Sequence, residues 1–145
     1  MVKVGDAYYW YGEDRSNGYD NSPGVHAYMS TDLYNWTDLG VALRAVTSKS
    51  QLTDKSNADY AYFDKAYNLT KSDGSVDAAK ADAIFPYLNT NPDQDGDGAV
   101  DSVQGIFERP KIIYNKKNKQ YVLWWHSDGS TTPGGSNYAR ALAGV

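Results

Sequence analysis

The sequence predicts an all-β chain, two antiparallel strand meanders of the kind that make propeller blades, with a partly helical insertion between them. Three observations lead there. Aromatic residues are dense, with 13 Tyr, 4 Trp and 3 Phe, and aromatic side chains favour strands. Short apolar or alternating runs towards both ends are punctuated by Gly, Asn, Ser and Pro loops. The two ends also share one pattern. A constant offset sets Tyr8 on Tyr121, Tyr11 on Trp124, Glu13 on His126 and Val25 on Tyr138 without a gap, and a repeated antiparallel meander is how propeller blades read.

Residues 1–45 form the first unit. "VKVGDAYYWYGE" is two strands joined at the tight-turn pair Gly5-Asp6. "SNGYDNSPG" is a loop, "VHAYMS" a strand, "TDLYNW" a turn and "TDLGVAL" a further strand. In the turn, Ser30 and Asp32 are placed to bond backbone amides, with Trp36 packing between blades. Residues 107–145 repeat the shape: "KIIYN", "QYVLWWHS" and "NYARALAG" are strands, separated by "KKNK" and "DGSTTPGGS".

Residues 46–106 differ. They are polar and short of β-branched residues until "SVDAAKADAIFPYL", which predicts a short helix. Ser75 is its expected cap, Asp77 suits the first turn, and Pro86 ends or kinks it.

The bulk composition narrows function. The net charge of −4 is spread along the chain, which argues against nucleic acid or an anionic membrane as partner. No apolar run reaches the roughly eighteen residues of a membrane span. Cysteine is absent, so disulfides and thiolate metal sites are excluded. Tyr and Trp faces suit sugar rings, apolar on one side and hydroxylated at the edge; the same abundance is also what a β-rich domain needs.

"DQDGDGAVDSVQ", residues 93–104, has the spacing of an EF-hand-type loop. Asp93, Asp95 and Asp97 occupy positions one, three and five, and Gly98 the sharp turn at six. Ala99 offers a carbonyl at seven and Asp101 a side chain or bridged water at nine. Hard oxygen donors at alternate positions converge on Ca²⁺ because the loop coils around it. Gln104 replaces the bidentate Glu at twelve, which lowers the expected affinity, and Val100 is the expected apolar anchor. The expected cofactor is a structural Ca²⁺ pinning a long insertion; the plain alternative is a solvated acidic turn.

"YYWYGE", "GVHAYMSTDLYNWTDLG", "ERPKIIYNKKNKQYVLWWH" and "NYARALAGV" together resemble glycoside hydrolase family 43, in its exo-β-1,3-galactanase-like branch. The resemblance spans roughly residues 4–45 and 107–145 and not the middle. It implies blades of a five-bladed β-propeller with the site at one end of the central channel. It implies hydrolysis of β-linked galactan or a related plant polysaccharide with inversion, which needs a proton donor and a base on opposite faces of the sugar. Glu108 matches a catalytic auxiliary carboxylate. Glu13 matches a sugar-contacting acid and Tyr138 an aromatic sugar contact, with His126 and Asp128 on the same rim. Each has a plainer reading: a Glu108–Arg109 ion pair capping a strand, a loop acid at Glu13, a half-buried Tyr138, a structural His126.

The resemblance further implies a poly- or oligosaccharide partner and a secreted or cell-surface parent protein. The first unit lacks the family's innermost strand, and the proton donor falls on a later blade, beyond Val145. The isolated chain is therefore expected to be inactive, and to pair with remaining blades or with itself through open strand edges and aromatic faces. A non-catalytic carbohydrate-binding module and a Ca²⁺-dependent interaction module are the competing classes.

Overall fold

The computed structural model describes residues Met1–Val145. The chain is mostly β, in two separate antiparallel sheets with three helices between them in sequence. Neither sheet closes on itself or on the other. The first sheet has strand order β1-β2-β3-β4: β1 (Val2–Val4), β2 (Ala7–Glu13), β3 (Gly24–Ser30) and β4 (Thr37–Arg44). The tight turn at Gly5-Asp6 joins the first two, with Gly5 at φ 59°. The β3–β4 turn is held as its residues foretell. Ser30 Oγ accepts the amides of Asp32 and Leu33, and Asp32 Oδ1 accepts those of Tyr34 and Asn35. Trp36, expected between blades, instead lies edge-on to Trp10 of the same sheet, with centroids 6.0 Å apart.

The middle segment folds into α1 (Ser50–Thr53), α2 (Tyr60–Tyr67) and α3 (Ala78–Leu88). The first two lie in sequence that reads only as polar and short of β-branched residues. The third is the expected helix with a different cap: Asp77, not Ser75, accepts the amide of Lys80 at 3.1 Å, while Ser75 donates to Asp73 in the preceding turn. Pro86 sits inside the last turn, where it removes the N–H that would bond Asp82 O. Its carbonyl is taken by the Arg140 guanidinium, which also stacks on Tyr87.

The second sheet has order β5-β6-β7: β5 (Gly105–Asn115), β6 (Gln120–Gly129) and β7 (Leu142–Gly144). β5 begins before the expected "KIIYN", and β7 is only three residues long. Gly129 is obligatory: at φ 136°, a Cβ there would lie 2.0 Å from the carbonyl oxygen of Gln104.

One core serves both sheets. It joins Val25, Phe107 and Trp125 of the strands to Leu52, Tyr60, Phe63, Leu69, Ala81, Phe85 and Leu88 of the middle segment. The ends of that segment are zipped together: Val46 N–H donates to Leu88 O, and Thr90 N–H to Val46 O. A hollow of about 360 Å³ between α3 and β7 is lined by Ile84, Tyr87, Leu142 and Val145. Trp125 Nε1 and Ser127 Oγ, on residues that border it, are buried without a hydrogen-bond partner.

In the first sheet His26 is clamped from both sides. Nδ1 lies 2.9 Å from Asp14 Oδ2 and Nε2 2.5 Å from Asp38 Oδ1. These bonds, Asp14 first and then Asp38, hold the imidazole above its ordinary pKa against burial. The Asp38 carboxyl is held low chiefly by His26. Burial pushes Asp14 up, but its bonds to His26 and Ser16 outweigh that and it ends low. The imidazolium's contribution is complete below about pH 6.5, the unfolded value, and is lost as pH rises through the folded one. The carboxylates' contribution is present above about pH 4 and lost below it. The urea midpoint is therefore expected to fall between pH 6 and pH 9, and His26→Gln to remove that fall. An equal fall in both proteins would put its source elsewhere.

Candidate functional site

The charged pair Glu108-Arg109 stands at a β-bulge. Glu108 pairs with His126 and Lys111 with Trp124, so Arg109 and Pro110 share the place opposite one residue. Arg109 takes the left-handed conformation, φ 50°, and Pro110 has no donor to lose from the ladder. The bulge turns the Arg109 N–H out of the sheet onto Glu13 Oε1 at 2.6 Å. The plainer alternative, a capping Glu108–Arg109 ion pair, does not form; Arg109 bonds through its backbone, and no salt bridge joins Glu108 to its guanidinium.

That bond joins the two sheets. Glu13 ends β2, and its other oxygen accepts Arg15 Nη2 at 2.5 Å. Arg15 lies over the Tyr19 ring, 4.1 Å from its centroid, and donates to the Tyr19 carbonyl. The Tyr19 hydroxyl donates to Glu108 Oε1. On the other side, His126 Nδ1 is 2.8 Å from Glu108 Oε2, and His126 Nε2 is 3.7 Å from Asp128 Oδ2. The Tyr138 hydroxyl donates to that of Tyr19 at 3.2 Å. Glu13, Glu108, His126, Asp128 and Tyr138 thus lie along one connected network. Beside it a hollow of about 350 Å³ is lined by Arg109, Lys111, Trp124 and His126.

The members differ in character. Glu108 is 7% exposed, and the Tyr19 hydrogen bond, helped by His126 and the Arg109 charge, holds its carboxyl below the ordinary value against burial. Burial, then the bond to Glu108, pushes the Tyr19 phenol well up, so it stays a donor. Asp128 is 2% exposed and braces the chain: its Oδ1 accepts the amides of Gly129, Arg140 and Ala141. Burial raises its carboxyl, but those three donors outweigh this and leave it low. Tyr138 is 63% exposed, a rim residue and not part of the core.

Tyr19 and Arg15 are invisible to motif reading, because both lie in a loop defined by its Gly, Asn and Ser content. The hint available was an aromatic and a cation in an otherwise small-residue loop directly after Glu13.

In the acidic loop, carboxylate oxygens of Asp93, Asp95 and Asp101 lie within 4.8 Å of one another, and Asp97 is outside that group. Asp93 accepts the amides of Gly96 and Gly98, Asp97 that of Ala99, and Asp101 that of Gln94. The Gln104 side-chain amide donates instead to the carbonyl of Asp20. Val100 is 47% exposed and anchors nothing; the loop is tied down by buried Asn89, which bonds Val103 O, Asn91 N and Gln94 Nε2.

The two antiparallel sheets thus bring two acids, a histidine and exposed aromatics together. Comparison with solved structures shows what this arrangement is similar to. Two crystal structures of the exo-β-1,3-galactanase from Phanerochaete chrysosporium, each with β-1,3-galactotriose, match this chain at 26% identity, with TM-scores of 0.54 and 0.52. Each match covers 99% of this chain and 20% of that one. A family 43 β-1,3-galactosidase matches at 28% identity over 87% of this chain and 17% of its own, with a TM-score of 0.44. No family profile and no curated protein matches. The chain is similar to a part of family 43 galactanases and spans about a fifth of the length of the enzymes it matches.

Tyr19→Phe removes the charge-assisted donor to Glu108 and is expected to cost about 1–2 kcal/mol at pH 7. A depressed carboxyl contributes above its unfolded pKa and loses the contribution as pH falls through the folded value. The difference between the two proteins should therefore shrink by pH 3 in urea unfolding; a pH-independent difference would mean that the bond is not to an ionised Glu108.

Proposed function

We propose that this chain supplies the sugar-positioning and auxiliary-carboxylate part of an inverting galactan hydrolase site. The observation that carries it is Glu108, buried and kept ionised between Tyr19 and His126 while Glu13, from the other sheet, accepts the backbone N–H of the adjacent Arg109. A carboxylate held low cannot offer a proton to a leaving oxygen. It can hold sugar hydroxyls, and as a fixed negative charge it raises the pKa of an acid placed beside it. Asp128, also held low, is no proton donor either. The ligand is a β-1,3-linked galacto-oligosaccharide, the class that the matched galactanase holds.

Calorimetry with β-1,3-galactotriose is expected to give weak binding, on the order of 0.1–1 mM, abolished by Glu13→Gln, with no galactose released. Release of galactose by the chain would overturn the auxiliary role. Binding unmoved by Glu13→Gln and Glu108→Gln would favour the second reading, a non-catalytic binding face. That reading draws on the exposed rings of Trp10 and Trp124, 50% and 41% accessible.

We also propose that Asp93, Asp95 and Asp101 hold a structural Ca²⁺. Three oxygen donors so close together suit a hard cation, which relieves their mutual repulsion. Addition of millimolar CaCl₂ should raise the melting temperature by a few degrees, and Asp93→Asn should abolish the rise. No heat and no shift at 10 mM, a concentration chosen well above a weak site's Kd, would remove the proposal.

A further inference from the structure

Tyr19 presents a problem of support. It lies between β2 and β3, where residues 16–21 are all exposed, and Tyr19 itself is 36% exposed. Its contacts with Arg15 are made within the same loop. Yet its hydroxyl must stay on Glu108, which sits on the other sheet.

The tie comes through its neighbour. Gln104 Nε2 donates to the Asp20 carbonyl, and Asn137 Nδ2 donates to Asp20 Oδ1 at 3.1 Å. Both donors belong to the second half of the chain. Gln104 is a rigid post: it is 7% exposed, its N–H donates to Ser130 Oγ at 2.7 Å, and its carbonyl accepts Ser130 N–H at 2.9 Å. Its side chain is ordered by burial, so holding Asp20 costs little further entropy. Gln104 directly precedes β5, and by strand alternation it shares a side with Glu108. One stretch of chain therefore grips consecutive residues of the loop, Tyr19 by its hydroxyl and Asp20 by its carbonyl.

Resting on the reading of Glu108 given above, we propose that Gln104 and Asn137 are positioning residues, which act through Asp20 to keep the Tyr19 hydroxyl on Glu108. Gln104 thereby has a role other than the cation ligand that its place in the acidic loop suggests. It makes the end of that loop a support of the candidate site.

The chain has only two glutamates, Glu13 and Glu108, so ¹³C-labelled glutamate gives two carboxyl signals to titrate by NMR. The charged and titratable groups facing Glu108 are Tyr19, His126 and Arg109, and Gln104→Met, Asn137→Ala and Asp20→Asn alter none of them. Tyr19→Phe sets the scale by raising the Glu108 midpoint. Gln104→Met and Asn137→Ala are each expected to move it part of the way, and Asp20→Asn, which keeps both acceptors, to leave it in place. Asn137 lies on the rim, so its variant reports even if Gln104→Met fails to fold. A Glu108 midpoint unmoved by Asn137→Ala, or moved equally by Asp20→Asn, overturns the proposal, as does a midpoint insensitive to Tyr19→Phe. Galactotriose binding by the unaltered chain is measured separately. If it is absent while the midpoints shift as expected, the support stands and the sugar-binding reading falls.

Discussion

Everything else in this chain depends on the core that the middle segment inserts between the two sheets. A three- or four-stranded sheet buries one face at most, and each needs a partner layer. Here the partner is shared. Phe63, Leu69, Ala81 and Leu52 are fully buried beside Val25 of one sheet and Phe107 and Trp125 of the other. Apolar burial is non-directional and stabilises by roughly 25 cal/mol per Å², so the cluster supplies cohesion. Direction comes from the backbone: the bonds between Val46 and Leu88–Thr90 return the segment to the point where it left, so that β5 starts beside the first sheet. Residues 46–106 are less an appendage to two sheets than the piece that sets their relation.

That relation makes the candidate site. Glu13 and Glu108 are 95 positions apart in the chain and on different sheets. They meet because a bulge spends one residue of β5 on aiming an amide across the gap. A left-handed Arg109 costs on the order of 1 kcal/mol, offset in part by a charge-assisted bond to Glu13. The proline beside it serves the same end, since a residue without an N–H leaves no orphan where the ladder is interrupted. On this frame donors face acceptors, Arg15 at Glu13 and Tyr19 and His126 at Glu108, so that neither carboxylate lacks a partner. The acceptors of the site are fixed by donors behind them.

Legibility followed the range of the interactions. Strand positions, the Gly5-Asp6 turn and the Ser30–Asp32 turn were readable because they rest on alternation and on side chains bonding backbone two or three residues away. The helix at 78–88 was readable from its apolar stripe, but its cap was displaced by two residues, since Ser75 and Asp77 are both acceptable caps and Asp73 had already engaged the serine. The helices at 50–53 and 60–67 were not readable. Both are short, below the length at which propensity alone holds a helix, and they exist because Leu52, Tyr60 and Phe63 are buried by partners distant in sequence. Spacing alone also gave Asp97 and Gln104 the same standing in the acidic loop as Asp93, Asp95 and Asp101; the fold separates them, since Asp97 lies outside the cluster and the Gln104 amide is spent on Asp20.

By itself the sequence determined the local grammar: where most strands lie and turn, that Glu13, Glu108 and His126 fall on strands, and the likeness to galactan hydrolases. These depend on period-two patterning and on motifs a few residues long. Asp128, read as a loop residue, lies in β6, and Tyr138, read as a strand residue, lies before β7. Only the tertiary structure decided that Tyr19 and Arg15 join those residues, that Arg109 acts through its backbone and not its charge, and that Glu108 is held ionised. Each of those outcomes is a contact between groups far apart along the chain, and such contacts are created when burial of a shared core brings two sheets to one place.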